Sequence, residues 1–259
     1  SVFAKADLVS AAYGNAWGES VEENLDVLRM SLQAGIIDES VTEAEAQKLV
    51  EQFSGVVDLF EFDMPMAVRG VGNLMKTGLA KDAEDAFDLI VAASQKIPAE
   101  DLMDTVNEYS NQWALAGLSG EQAMGLIVQA MKDGARDTDN VADAVKEMGL
   151  RIREGTEPAR QALQDLGLDA DDLIARFNAG DPSAMGQVFD ALRQLRDDGG
   201  NTQEVIANLF GGPGEDLGAA LFALDLDTAA EALGGLEGSA GSAERALATM
   251  SDNAAAQIE

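Results

Sequence analysis

Residues 78–93, GLAKDAEDAFDLIVAA, and residues 117–130, GLSGEQAMGLIVQA, carry one pattern twice. Ala86, Leu89, Ile90, Val91 and Ala93 return as Ala123, Leu126, Ile127, Val128 and Ala130, 37 residues further on. The Gly-Leu pairs that precede them, Gly78-Leu79 and Gly117-Leu118, stand 39 residues apart, so two residues are absorbed in the loop between Leu79 and Ala86. A period near 40 residues is the length of a helical hairpin. Such a unit buries one apolar face against its neighbours and shows the rest to water. The stretch from Gly78 to Glu154 holds no reactive side chain, so it reads as scaffold rather than catalytic pocket. The fold class that follows is all-α, with both Leu-Ile-Val triplets buried at equivalent places in stacked helical hairpins.

Helix punctuation outside the repeat agrees. Thr42 with Glu45 and Ser119 with Gln122 fit capping boxes. Asp181-Pro182 and Thr156-Glu157-Pro158 place proline near a first helical position. Gly35, Gly117, Gly134, Gly149, Gly167 and Gly180 fall where helices should stop. Between these marks the apolar residues recur at helical spacing: Leu102, Val106, Tyr109 and Trp113; Met124, Ile127, Val128 and Met131; Met185, Val188, Phe189 and Leu192. The count is about a dozen short helices. Glu61 to Pro65 breaks the pattern before a helix expected at about Met66, and Gly211-Gly212-Pro213-Gly214 is the strongest breaker in the chain. Gly234 to Ser242 reads as a flexible joint, after which a helix runs to Glu259 without a stop signal. The expected organisation is an N-terminal helical segment over 1–64, a repeat-containing core over 65–237, and a joint with the start of an exiting helix over 238–259.

Composition removes much chemistry. The 259 residues include no Cys and no His, which excludes the usual zinc sites, thiolate nucleophiles and His-based triads. Paired-carboxylate hydrolysis stays open, because 47 Asp and Glu are present. No stretch reaches the ~18 apolar residues of a membrane span. The net charge of −30 is spread along the chain, with −8 over residues 1–80, −8 over 81–155 and −14 over the remainder. A uniformly acidic surface repels DNA phosphates, which need clustered Lys and Arg. No direct DNA binding is therefore expected.

Several patterns have a chemical and a structural reading. Gly211 to Gly214 lacks the Lys-Ser or Lys-Thr of a phosphate loop and reads as a turn. Asp137, Asp139 and Asp143 are spaced like cation ligands, but Ala142 and Met148 stand where a calcium loop wants Gly and Glu, which leaves capping and a solvated face. Asp169, Asp171 and Asp172 are acids suited to a helix N-terminus. Lys146, Arg151, Arg153 and Arg160 form the one mildly basic stretch, with internal pairing to nearby Glu147, Glu154 and Glu157 as the default. Tyr109 and Trp113 read as core. Trp17, between Gly14 and Gly18, reads as an interface residue. Ala243, Ala246, Leu247, Met250, Ala254 and Ile258 form a narrow, alanine-rich stripe, too weak to hold a helix firmly. Its larger members, Leu247, Met250 and Ile258, complete the set of candidate interface residues. Catalytic, cofactor and metal sites are expected to be absent.

From Gly78 to Glu259 the chain resembles the tape measure proteins of long-tailed, siphovirus-like bacteriophages, especially those of actinobacterial hosts. The resemblance rests on Arg136-Asp137-Thr138-Asp139 followed by Ala142-Asp143-Ala144 and Lys146-Glu147, on Gly167-Leu168-Asp169-Ala170, on Leu209-Phe210-Gly211 followed by Glu215-Asp216-Leu217-Gly218, and on Asn253 to Glu259. Trp17-Gly18-Glu19-Ser20 is similar to a pattern nearer the N-terminal side. The resemblance implies a non-enzymatic module of a longer structural protein that sets tail length and takes part in tail assembly and genome delivery. It implies tail assembly chaperones, the tail tube protein and tail-tip proteins as partners, self-association in the tail, and residence in the tail lumen, with passage through the host cytoplasm during assembly. Two other classes are consistent with the residues alone: a generic α-helical interaction scaffold, and a glycan hydrolase with two carboxyl groups ~5–9 Å apart in a cleft.

Overall fold

The computed structural model describes residues 21–99, 101–234 and 239–256, with side chains over 22–99, 101–234 and 239–250. Among the described residues it is all-α, with thirteen α-helices and no strand. Residues 1–107 together with 239–259 form one compact unit, and residues 108–238 form a second. Trp17 and Ile258 lie outside the described residues.

In the first unit, α1 (Val21–Ala34), α2 (Glu43–Phe60), α3 (Met64–Thr77), α4 (Ala83–Ser94), the beginning of α5 (Leu102–Leu115) and the C-terminal α13 (Ser242–Ala256) share one core. Thr42 and Glu45 close the expected capping box ahead of α2. That helix ends at Glu61, a non-glycine residue in the left-handed region, and α3 restarts at once from Asp63, whose carboxylate accepts the Met66 N–H. The break read at Glu61–Pro65 is therefore only three residues wide. Leu89, Ile90 and Val91 are buried on α4, beside Phe87, whose ring meets Phe53 of α2 edge-on at 4.7 Å. The polar pair Asn73 and Asn107 ties α3 to α5, Asn107 Nδ2 also donating to the carbonyls of Met66 and Met103.

The second unit holds the rest of α5, then α6 (Gly120–Lys132), α7 (Thr138–Glu154), α8 (Glu157–Asp165), α9 (Ala170–Asn178), α10 (Pro182–Asp197) and α11 (Thr202–Leu217). A 3₁₀ turn at Gly218–Ala223 and the short α12 (Ala229–Gly234) complete it. The triplet Leu126-Ile127-Val128 is buried on α6, which starts 37 residues after α4 does, in step with the sequence repeat. The surroundings of the two copies differ: α4 packs on α2, α3 and α13, whereas α6 packs on α7, α12 and the 3₁₀ turn. Tyr109 and Trp113 are core residues with stacked rings, and Met185, Val188, Phe189 and Leu192 are also buried in the core.

One helix limit differs from that read in the sequence. Gly149 does not stop α7, which runs on to a left-handed Gly155. Gly149 is buried, and a Cβ there would make only ordinary contact with the Arg153 guanidinium. The breaker at Gly211–Gly214 does interrupt the chain's helix: α11 is two helical pieces that meet at a kink at Gly211. Gly211 takes φ 61°, ψ −153°, a conformation open essentially to glycine alone, and helical geometry resumes through Pro213. Gly35, Gly117, Gly134, Gly167 and Gly180 sit with positive φ at helix ends, as expected.

Candidate functional site

Each patterned set of charges has an internal use. Asp137 caps α7, accepting from Asn140 N at 2.8 Å, and pairs with Arg136 at 2.7 Å. Burial works to raise its pKa, but the Arg136 guanidinium and the Asn140 N–H outweigh that and hold it below the ordinary carboxylate value. Asp139 is a hydrogen-bond partner of the Tyr109 hydroxyl. Burial, and after it the charges of Asp143 and Asp139, push that hydroxyl well above its usual range. Asp143 pairs with Lys146, whose ammonium stands 5.5 Å from the Tyr109 ring centroid. The three acids thus serve three different partners. Among the described residues no cluster of carboxylates could hold a metal ion.

Asp169 accepts from the N–H groups of Asp171 and Asp172, while those two carboxylates pair with Arg160 and Arg176. Arg151 pairs with Glu147 as expected and does more. Its Nη1 donates to the carbonyls of Ala207 and Asn208, both at 3.3 Å, on the last turn of α11 before the bend. A Cβ on Gly211 would stand 2.5 Å from Arg151 Nη2, so the glycine-rich turn is filled by a guanidinium and offers no cradle for phosphate. Arg153 departs from the pairing expectation. Its Nη1 is buried with no hydrogen-bond partner among the described residues, and burial pulls the guanidinium below its ordinary pKa.

The described interface candidates lie on α13. Leu247 and Met250 are half-buried, and Ala243 and Ala246 are buried. Leu247 fills a notch on α2 left by Gly55, where a Cβ would overlap its Cδ2. The helix start is fixed by Asp88 of α4, a residue only 6% exposed. Its Oδ2 accepts from Gly241 N at 2.6 Å and its Oδ1 from Ala243 N at 2.9 Å. Charged acceptors at a helix N-terminus combine a strong hydrogen bond with a favourable dipole. The first turns of α13 are therefore seated more firmly than the alanine stripe alone provides. Asp88 was not singled out by sequence reasoning, although a carboxylate inside the apolar run Ala86-Phe87-Asp88-Leu89-Ile90-Val91 is a usable signal.

A second polar junction also went unread. Gln129 of α6 pairs both ways with the backbone of Asp225, donating to its carbonyl and accepting from its N–H, each at 2.9 Å. Arg193 of α10 donates to Leu224 O and pairs with the Asp225 carboxylate, whose other oxygen accepts from Asp227 N and Thr228 N ahead of α12. This junction positions α12 rather than offering reacting groups.

The architecture is thus one of scaffold contacts, and the comparisons agree. The family model described as phage-related minor tail protein matches residues 10–211. The chain belongs to that family. Within it, the chain is similar to the probable tape measure protein of Streptomyces phage phiC31, with 35% identity over 239 residues. That match covers 90% of this chain and 32% of the relative, so the chain spans about a third of the length of this tail-protein relative. No solved structure matches. No helix among the described residues is long and apolar enough to cross a membrane.

Proposed function

We propose that this member of the minor tail protein family is a non-enzymatic structural module of a phage tail tape measure protein, acting in tail length determination, tail assembly and genome delivery. The observation that carries this reading is the 35% identity to a probable tape measure protein over nine-tenths of the chain. The absence of Cys and His from the sequence supports a structural role, and the charged groups described above, Arg153 apart, are engaged in caps and ion pairs rather than gathered at a pocket. The partners proposed are tail assembly chaperones, the tube protein and the tail-tip proteins, with the module in the tail lumen after assembly in the host cytoplasm. Self-association is proposed through the surfaces around Trp17 and along α13 at Leu247, Met250 and Ile258.

The test is genetic. In a phage that encodes this chain, an in-frame deletion of residues 120–217 removes the helices from α6 to α11. The expected outcome is particles with no tails or with tails of altered length in electron micrographs, together with loss of plaques. Infectious particles with tails of unchanged length would sink the reading.

A further inference from the structure

Residues 108–238 are an insertion within the first unit. That unit is assembled from residues 1–107 and 239–259, so both connections of the second unit lead back into it. The chain leaves the first unit along α5 and rejoins it just ahead of α13. What closes the first unit across this insertion is α13 itself, packed on α4 and α2. Its hold is concentrated near its start. Asp88 Oδ2 and Oδ1 accept from Gly241 N and Ala243 N, Ala243 and Ala246 are buried, and Leu247 occupies the notch at Gly55. Glu244 adds an attraction to Lys48 of α2. Arg245 braces the turn from within, donating to Ala240 O and Ser242 Oγ. The contacts of Asp88, Gly55 and Lys48 each join a residue upstream of the insertion to one downstream of it.

We propose that α13 is a mechanical latch that keeps tension along the chain out of the second unit. Tension follows the intact contacts that connect the points of pull. While α13 is seated, those contacts run from α4 and α2 straight to α13, and residues 108–238 lie outside the loaded path. Once α13 leaves, the second unit is the only connection between residues 107 and 239 and takes the whole load. The length folded in residues 108–238 is thus a reserve, released only after the latch opens. The latch opens abruptly rather than by gradual stretching. Hydrogen bonds weaken steeply outside a narrow range of distance and angle, and the two at Asp88 are charge-assisted. Losing them leaves a buried carboxylate without either N–H, and that cost opposes opening. The Gly55 notch keeps Leu247 from sliding along α2. The inference rests on the order of these contacts along the chain and is independent of the tail reading.

Optical tweezers on the full chain test the latch. The chain has no cysteine, so two introduced ones are its only points of attachment. Lys96→Cys with Ala248→Cys, both at exposed positions, loads α13 against α4. Glu108→Cys with Glu231→Cys, also at exposed positions, loads the second unit directly. Unfolding of residues 108–238 is read as a lengthening of about 43–47 nm, at about 3.3–3.6 Å per residue. In the first geometry and at constant force, Asp88→Ala should shorten the lifetime before the chain lengthens by about tenfold or more, and Leu247→Ala should shorten it too. In the second geometry neither substitution should change the lifetime. If Asp88→Ala lowers the helical circular dichroism of the unloaded chain, Leu247→Ala carries the comparison. A lifetime in the first geometry that is indifferent to both substitutions would overturn the latch. Quickening of equal size in the two geometries would overturn it as well, because the contacts of α13 would then stabilise the chain at large rather than carry its load.

Discussion

A methyl group on Gly125 would overlap the carbonyl oxygen of Ala229, so the absence of a side chain there is what lets α12 lie against α6. Gly186 is also helical, but a Cβ there would make only ordinary contact with Leu226, at 3.6 Å or more. The two positions predict opposite signs for one substitution. Gly125→Ala should lower stability by about 1–3 kcal/mol, because the backbone of α12 must move. Gly186→Ala should raise it by about 0.5–1 kcal/mol through helix propensity and a less free unfolded chain. Paired urea titrations at unchanged m-value read both. Asn24 supplies a second residue-scale test. It is fully buried on α1, beside Val27 and Leu28, and among the described residues neither its Nδ2 nor its Oδ1 has a hydrogen-bond partner. Burying unsatisfied polar atoms costs about 1–3 kcal/mol, so Asn24→Leu should raise the thermal midpoint of the chain. An unchanged or lowered midpoint would mean that the carboxamide is satisfied in solution.

Helix α11 is one element in two pieces, and the element scale is where Arg151 acts. Its guanidinium reaches from α7 to the carbonyls of Ala207 and Asn208 and lies over Gly211 while pairing with Glu147. Removing it strips a charged donor from the end of the first piece. Arg151→Ala should therefore cost about 1.5–3 kcal/mol. Its effect should centre on residues 202–217, where amide exchange should quicken while exchange around Ile127 does not. Arg151→Lys should recover little, because an ammonium lacks the planar fork that serves two carbonyls and a carboxylate together. Uniform quickening across the second unit would refute a local role. Helix starts were legible because caps are local: Thr42 and Glu45, or Ser119 and Gln122, lie three residues apart and decide the matter among themselves. The bend of α11 was legible only as a break. Whether a Gly-Gly-Pro-Gly run ends a helix or folds it depends on what receives the freed carbonyls, and that residue lies more than fifty positions earlier. Gly149 was misread as a stop because the left-handed turn that ends α7 is made six residues later, at Gly155.

At the scale of the whole molecule, the repeat announced an all-α chain but not its partition. The two Leu-Ile-Val triplets fall in different units, and residues 239–256 return to the first unit through Asp88, about 150 positions upstream. Such a return leaves no period or punctuation in the sequence, only a carboxylate in an apolar run. Charge, by contrast, is legible in full from composition. Seventeen basic residues stand against 47 acids. In the mildly basic stretch, Lys146, Arg151 and Arg160 are paired with Asp143, Glu147 and Asp171, and part of the Arg153 guanidinium is buried. Duplex DNA is bound by cations that displace condensed counterions, with an affinity that falls as salt rises. A chain whose one basic stretch is largely paired in place offers no cationic cluster, and its excess of acids repels the phosphates. The isolated chain should show no anisotropy change with a short labelled duplex at physiological salt. Lower salt should not reveal binding, because lengthening the Debye length from about 8 Å to about 30 Å strengthens the repulsion as well. Salt-sensitive binding in the micromolar range or tighter would require a cationic surface formed by residues other than these pairs, and would contradict the argument from charge.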